Sequence, residues 1–298
     1  MGYAFYIGCA TPAKALHYEL STRALAGSLG IELIDVPEFG CCGFPVKSMD
    51  SFAALLMAAR NLALAEEKGM DIIGVCTGCI AVLSEAKEAL KEEKFRREVN
   101  ERLRVLGVKE YSGKVSVKHF ARFLCEDYGL NRMRERIVAP LEALRVGVHY
   151  GCHYMRPARA HGYFDDPSYP RTLDELVLVA GAKTIDYPNK NLCCGLTIMG
   201  AAEDLSFKLA AGKLECLSSR GADAMLVACP SCGIAYDNNQ KLAGKRTGGE
   251  FNLPVLYFTQ ALGLAMGLDK GALGIEMNRV KVDKLMEKLI APPSAKPK

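Results

Sequence analysis

Ten of the twelve cysteines in this 298-residue chain stand in one order written twice. Cys9 is followed after 31 residues by the pair Cys41-Cys42, after 33 more by Cys76, and after a further two by Cys79. Cys152 is followed after 40 residues by Cys193-Cys194, after 34 more by Cys229, and after two by Cys232. A C-x-x-C turn brings two thiolates within reach of one zinc ion, one iron–sulfur cluster or one dithiol redox couple. A dithiol couple has no use for three further partners. Zinc and a cubane [4Fe-4S] cluster each take four ligands, which leaves one thiol of every five unused. The fifth thiol therefore points to a cluster with an extra protein ligand, or to a cubane with a spare thiol beside it. Zinc in a stabilised interaction module stays open as an alternative. Adjacent residues of a regular strand point to opposite faces, so Cys41-Cys42 and Cys193-Cys194 must lie in turns. Gly43 and Gly195 give those turns the freedom to expose both sulfurs.

The elements around the thiols repeat as well. Residues 3–7, 31–39, 71–75 and 115–119 are apolar runs of strand length, with helical spacing after each, including a helix from residue 11 to Gly30 and another over 51–68. Residues 146–150, 182–187, 224–228 and 254–258 repeat the series. The offsets are 143 for Cys9 and Cys152, 152 for the adjacent pairs and 153 for the C-x-x-C turns. Such a duplication implies an α/β protein of two pseudo-symmetric domains, each a parallel sheet flanked by helices. We place the first domain at residues 1–143, the second at 144–291 and a disordered Pro- and Lys-rich tail at 292–298. Ligands of such folds gather beyond the carboxyl ends of the strands, where the cysteines fall. Cys125 aligns with Gly263 and Cys216 with Ala63, so both are expected to be small core residues.

Composition narrows the class. Half of the residues are hydrophobic and 24% are charged, as in a globular protein, and a net charge of +4 is too mild for a nucleic-acid binder. Residues 256–268 fall short of the ~20 apolar residues of a membrane span. No basic leader with a cleavage site precedes Cys9, so the cytoplasm is the expected location. Twelve cysteines in a reducing compartment favour metal or redox chemistry over disulfides. The stretch 85–104 reads as a solvated helix with Glu92/Arg96, Glu93/Arg97 and Glu98/Arg102 as i, i+4 ion pairs.

The doubled motif C-x31-CC-x33-C-x2-C and C-x40-CC-x34-C-x2-C, each pair followed by glycine, resembles the tandem CCG domains of the B-type subunit of heterodisulfide reductase from methanogens. The resemblance covers nearly the whole chain. It implies an oxidoreductase that reduces the coenzyme M–coenzyme B heterodisulfide to two thiols between two non-cubane [4Fe-4S] clusters, each held by five cysteines. Cys9, Cys41, Cys42, Cys76 and Cys79 would hold one cluster, and Cys152, Cys193, Cys194, Cys229 and Cys232 the other. The chain lacks a C-x2-C-x2-C-x3-C-P run. As in the family, electrons would arrive through an iron–sulfur subunit fed by a flavin subunit, with a hydrogenase or formate dehydrogenase upstream. The rival within the same resemblance is an electron-transfer CCG subunit of a lactate, glycolate or quinone-linked dehydrogenase.

Four further residues enter as candidates. His153 breaks the repeat, since Ala10 follows Cys9, and it suits proton donation to a departing thiolate or a hydrogen bond to a cluster sulfur. Lys47, Arg156 and Arg159 follow the cysteine turns and suit the anionic groups of the substrate. His17, His149 and His161 read as structural.

Overall fold

The computed structural model describes residues 2–290. The expected tail at 292–298 lies outside the described residues. All eight expected strands form: β1 (Tyr3–Tyr6), β2 (Leu33–Asp35), β3 (Ile72–Gly74) and β4 (Val117–His119), then β5 (Arg145–His149), β6 (Lys183–Ile185), β7 (Ala224–Val227) and β8 (Val255–Tyr257). They build two parallel four-stranded sheets in matching orders, β2-β1-β3-β4 and β6-β5-β7-β8. The central strands are buried on both faces, which is why Phe5-Tyr6, Ile72-Ile73 and Met225-Leu226-Val227 are unbroken apolar runs. The order reverses direction between β1 and β3, and between β5 and β7, and a crevice opens at such a switch. Cys9 and Cys76 follow the first pair of strands, and Cys152 and Cys229 follow the second.

Several elements depart from their expected extents. The run over 31–39 contributes only Leu33–Asp35 to the sheet, because Pro37 offers no N–H to a ladder and the chain must turn toward Cys41. The first helix breaks at Ala15 (φ −142°, ψ 41°) into Ala10–Lys14 and Leu16–Ser28. The charged stretch 85–104 is divided between helices Thr77–Ala89 and Glu93–Val105. Of its three expected ion pairs, Glu93–Arg97 forms among the described contacts, at 2.5 Å. A further amphipathic helix, Asp283–Ile290, anchors to the second sheet through Lys288 and Asp223, with Nζ 2.8 Å from Oδ1.

The two halves share one continuous apolar core. Helix Leu16–Ser28 of the first half packs on helix Phe258–Ala265 of the second, and helix Thr172–Val179 of the second packs on the helices after β4. Phe120 and Phe258, which match in the repeat, meet with ring centroids 6.2 Å apart. Tyr18 stacks on Tyr257 at 3.9 Å, and His119 meets Tyr154 edge-on at 5.2 Å. The Ala228 carbonyl accepts from Tyr18 Oη at 3.1 Å and from His119 Nε2 at 2.9 Å, both donors in the opposite half. The His tautomer follows from its other nitrogen, since Nδ1 accepts from Ala121 N–H. Cys229 is the next residue after Ala228, so packing between the halves fixes a C-x-x-C turn directly.

Candidate metal centre

Each C-x-x-C begins where a central strand ends, and its second cysteine lies in the first turn of a helix: Thr77–Ala89 after β3 and Pro230–Gly233 after β7. Each adjacent pair sits on a loop pressed against a long helix, Ser51–Glu67 or Glu203–Ser219. Close approach requires glycine there. Gly43 has φ +91° and a Cβ on it would lie 2.8 Å from Ala54 Cα; Gly195 has φ +87° and its Cβ would lie 2.9 Å from the Ser206 carbonyl. The turn aims backbone N–H groups at sulfur. Gly43 N donates to Cys41 Sγ at 3.5 Å, Phe44 N to Cys42 Sγ at 3.5 Å, and Gly195 N to Cys193 Sγ at 3.3 Å.

The thiols adjoin in series. Cys41 neighbours Cys42, Cys42 adjoins Cys79, and Cys79 adjoins Cys76, with exposed Cys9 near Cys41. In the second half the series is Cys152, Cys193, Cys194, Cys232, Cys229. The two series meet where Cys76 adjoins Cys229. Nine of the ten cysteines line a single cavity of about 430 Å³, together with Phe44, Thr77, His153, Thr197 and Ser231. Cys41, the tenth, walls a neighbouring cleft of about 440 Å³ that it shares with Cys9.

Electrostatics follow from that crowding. When one of two adjoining buried thiols ionises, its neighbour holds a proton to give it a hydrogen bond. Cys193 is accordingly pulled far down by hydrogen bonds from Cys152 and Cys194, whereas Cys194 is pushed up to about 12 by its bond to Cys193. Cys42 is lowered to about 7 by its bond to Cys79. A bound cationic group would ionise them together, as thiolate ligation requires.

The residues present fit an iron–sulfur group. The donors are sulfur alone, mostly buried, and met by N–H groups, the surroundings that thiolate-held clusters use. The first half brings Cys9, Cys41, Cys42, Cys76 and Cys79 to this region, and the second brings Cys152, Cys193, Cys194, Cys229 and Cys232. Among the described residues no three His, Cys, Asp or Glu side chains converge as a single ion needs. Cys125 and Cys216 stand apart. Both are half-buried at the margin of the core rather than inside it, as their helices leave one face open: Cys125 Sγ reaches Thr172 O at 3.6 Å, and Arg220 Nη1 lies 2.8 Å from Cys216 Sγ.

His153 lines the cavity with Nδ1 3.0 Å from Cys152 Sγ and its ring edge-on to Phe44 of the other half at 5.0 Å. Burial lowers its pKa. The three cations are engaged elsewhere. Lys47 pairs with Glu85, and Arg159 pairs with Glu88 at 3.0 Å, one turn along the same helix. Arg156 clamps two loop carbonyls, Asn191 O at 3.1 Å and Pro167 O at 2.9 Å.

Two cavity hydroxyls escaped the sequence reading: Thr77, near Cys229 of the other half, and Thr197, near Cys193. Lys213 escaped it too. Its buried ammonium donates to Leu192 O at 2.5 Å and Cys193 O at 3.2 Å. A lysine among Ala210, Leu214 and Leu217, on the buried face of a helix, was the available signal.

Comparison with known proteins agrees with this doubled centre. The cysteine-rich (CCG) domain family matches residues 3–84 and again 146–236. The B-type subunit of the ferredoxin:CoB-CoM heterodisulfide reductase of Methanosarcina mazei is 33% identical over 96% of this chain and 96% of its own. The chain belongs to the heterodisulfide reductase B-subunit family of tandem cysteine-rich domains. The 8-methylmenaquinol:fumarate reductase membrane anchor subunit of Wolinella succinogenes is 30% identical over 95% of this chain and 98% of its own. A hypothetical protein from Helicobacter pylori shares the fold, with a TM-score of 0.77 at 19% identity over 94% of this chain and 52% of that one. Among the described residues of this family member no helix is long and apolar enough to cross a membrane.

Proposed function

We propose that this chain is the catalytic, cluster-bearing subunit of a heterodisulfide reductase, which reduces the coenzyme M–coenzyme B disulfide between two non-cubane [4Fe-4S] clusters. The observation that carries the reading is that Cys76 and Cys229, from opposite halves, line one cavity together with seven more of the ten cysteines. Two electrons and two protons convert one disulfide into two thiols. The clusters, when bound, supply the electrons singly. The chain's own residues do the rest. Phe44, Thr77, Thr197 and Ser231 shape the space, and His153, in the cavity wall, holds a proton for a departing thiolate. Lys47 and Arg159 meet the substrate's anionic groups by exchanging their partners Glu85 and Glu88, and Arg156 clamps the Asn191 and Pro167 carbonyls. An iron–sulfur subunit fed by a flavin subunit, with a hydrogenase or formate dehydrogenase upstream, would supply electrons in the cytoplasm.

The relative in Wolinella succinogenes supports a second reading, in which the same centre relays electrons within a quinone-linked complex and cleaves no disulfide. Anaerobic purification, quantitation of iron, sulfide and zinc, and a viologen-driven heterodisulfide assay separate the two. About eight irons per chain with turnover supports the reductase, since each cluster holds four. The same iron without turnover supports the relay, and zinc in place of iron defeats both.

A further inference from the structure

The two thiol sets match in order but differ in what surrounds them, and three matched positions carry the difference. Tyr6 and His149 match at the ends of β1 and β5 (149 − 6 = 143). Asn61 and Lys213 match on the helices that hold the adjacent-cysteine loops (213 − 61 = 152). Leu83 and Tyr236 match beyond the C-x-x-C turns (236 − 83 = 153). In the first half these groups are neutral and satisfied. Asn61 takes the Gly40 N–H at 2.9 Å and donates to Cys41 O at 3.2 Å, and Tyr6 Oη donates to Gly40 O at 2.6 Å.

In the second half the same places hold a cation and two unused polar groups. Lys213 is 6% exposed, and its ammonium donates to the Cys193 carbonyl at 3.2 Å. Its ammonium lies 3.5 Å from His149 Nδ1, so that nitrogen accepts and Nε2 carries the ring proton. His149 Nε2 and Tyr236 Oη are both buried without any partner. The His149 nitrogen and a thiol border the same point: a Cβ on Gly151 would lie 3.6 Å from Nε2 and 3.4 Å from Cys232 Sγ. The Tyr236 ring, four residues beyond Cys232, packs on His149 at 4.8 Å. A π-turn, Ile234–Asn238, carries Tyr236 where the first half continues a regular helix.

Buried donors without partners are costly, and sulfur acceptors in the adjoining space would satisfy them. Resting on the cluster reading above, we propose that Lys213, His149 and Tyr236 make the second-half cluster the more readily reduced of the two, so that electrons entering the chain collect there. Added electrons make a cluster more negative, and a buried cation with N–H and O–H donors favours that state. The first half has its own nearby cation, Arg60, but it is bonded to Glu38 O at the solvent edge, where water and salt screen it. Burial does not separate the sets elsewhere, since the four later cysteines of each half match in exposure and only exposed Cys9 differs from half-buried Cys152.

The test is a spectroelectrochemical titration of the cluster-loaded full chain, with iron quantified for every variant. Lys213→Asn installs the first-half residue and should lower the higher midpoint alone. The expected shift is at least tenfold in the oxidised-to-reduced ratio, about 59 mV for a one-electron couple. Asn61→Lys should raise the lower midpoint. Tyr236→Phe removes one hydroxyl and should move the higher midpoint in the same direction as Lys213→Asn, which keeps the test decisive if Lys213→Asn sheds iron. Full iron with both midpoints unmoved in Lys213→Asn, or in Tyr236→Phe where the lysine variant sheds iron, overturns the inference. A parent chain that binds no iron overturns the cluster reading beneath it.

Discussion

The Cys76 thiol adjoins the Cys229 thiol where the two halves meet in one cavity, and these two cysteines are each other's counterparts in the repeat. A contact between matched residues marks the pseudo-twofold axis. The Phe120–Phe258 contact marks it again, deeper in the core. One axis therefore runs from the shared core to the floor of the cavity, and the packing that joins the halves also sets the separation of the two thiol sets.

Removing a ligand at that junction should affect one set and stop work that needs both. On the proposed two-cluster reading, Cys229→Ala is expected to lower bound iron to about half and to abolish turnover. Cys216→Ala, outside the cavity, should keep both iron and turnover. Iron and sulfide analysis alongside the disulfide assay reads both outcomes. Full iron in Cys229→Ala would remove Cys229 from the ligands.

The glycine after each adjacent pair is a separate test of the loop. Gly195→Ala forces a side chain into a left-handed conformation and against Ser206, where the Cβ would lie 2.9 Å from the carbonyl oxygen. Strain of about 1–3 kcal/mol is expected, with the second-half cluster lost preferentially because Cys193 and Cys194 are displaced. Thermal melting and iron content check it, and an unchanged pair of values would mean that the loop yields at little cost.

Much of this centre was legible in the chain itself. The cysteine order, the repeat and the strand ends follow from residue type and spacing, because a parallel α/β unit brings strand ends to one edge. What spacing does not carry is the contact between units. The Ala228 carbonyl draws Tyr18 and His119 from the other half, and nothing local to either residue announces it. His149 reads as a structural histidine until its unpartnered Nε2 is seen, and Lys213 hides within an apolar helical pattern. Arg156 has the position of an anion ligand, yet the fold spends its guanidinium on two carbonyls.

A shared core implies shared unfolding. Phe258 is fully buried against Phe120, Tyr18 and His119 of the other half. Phe258→Ala should cost about 3–5 kcal/mol, the usual range for a large core truncation. Denaturant unfolding followed by fluorescence and by circular dichroism should give one coincident transition at a lower midpoint. Two separated transitions, with the first half unmoved, would show that the halves unfold independently.

Acid should weaken the fold through histidines that burial keeps neutral. His17, His119 and His161 are each lowered to about 4, first by desolvation. An unfolded chain binds these protons near pH 6.5, so their contribution is complete above that value and is lost as pH falls toward 4. Each could remove roughly 3 kcal/mol over that window, from about 1.4 kcal/mol per pKa unit. His17 isolates the effect, since burial is the sole cause of its shift and its ring simply packs on Tyr257 at 5.1 Å. His17→Phe keeps the ring and removes the titration. At equal cluster loading, its denaturation midpoint should fall less steeply than the parent's between pH 6.5 and 4.5, with little change above pH 7. Parallel curves through that window would mean that His17 does not stay neutral in the native state.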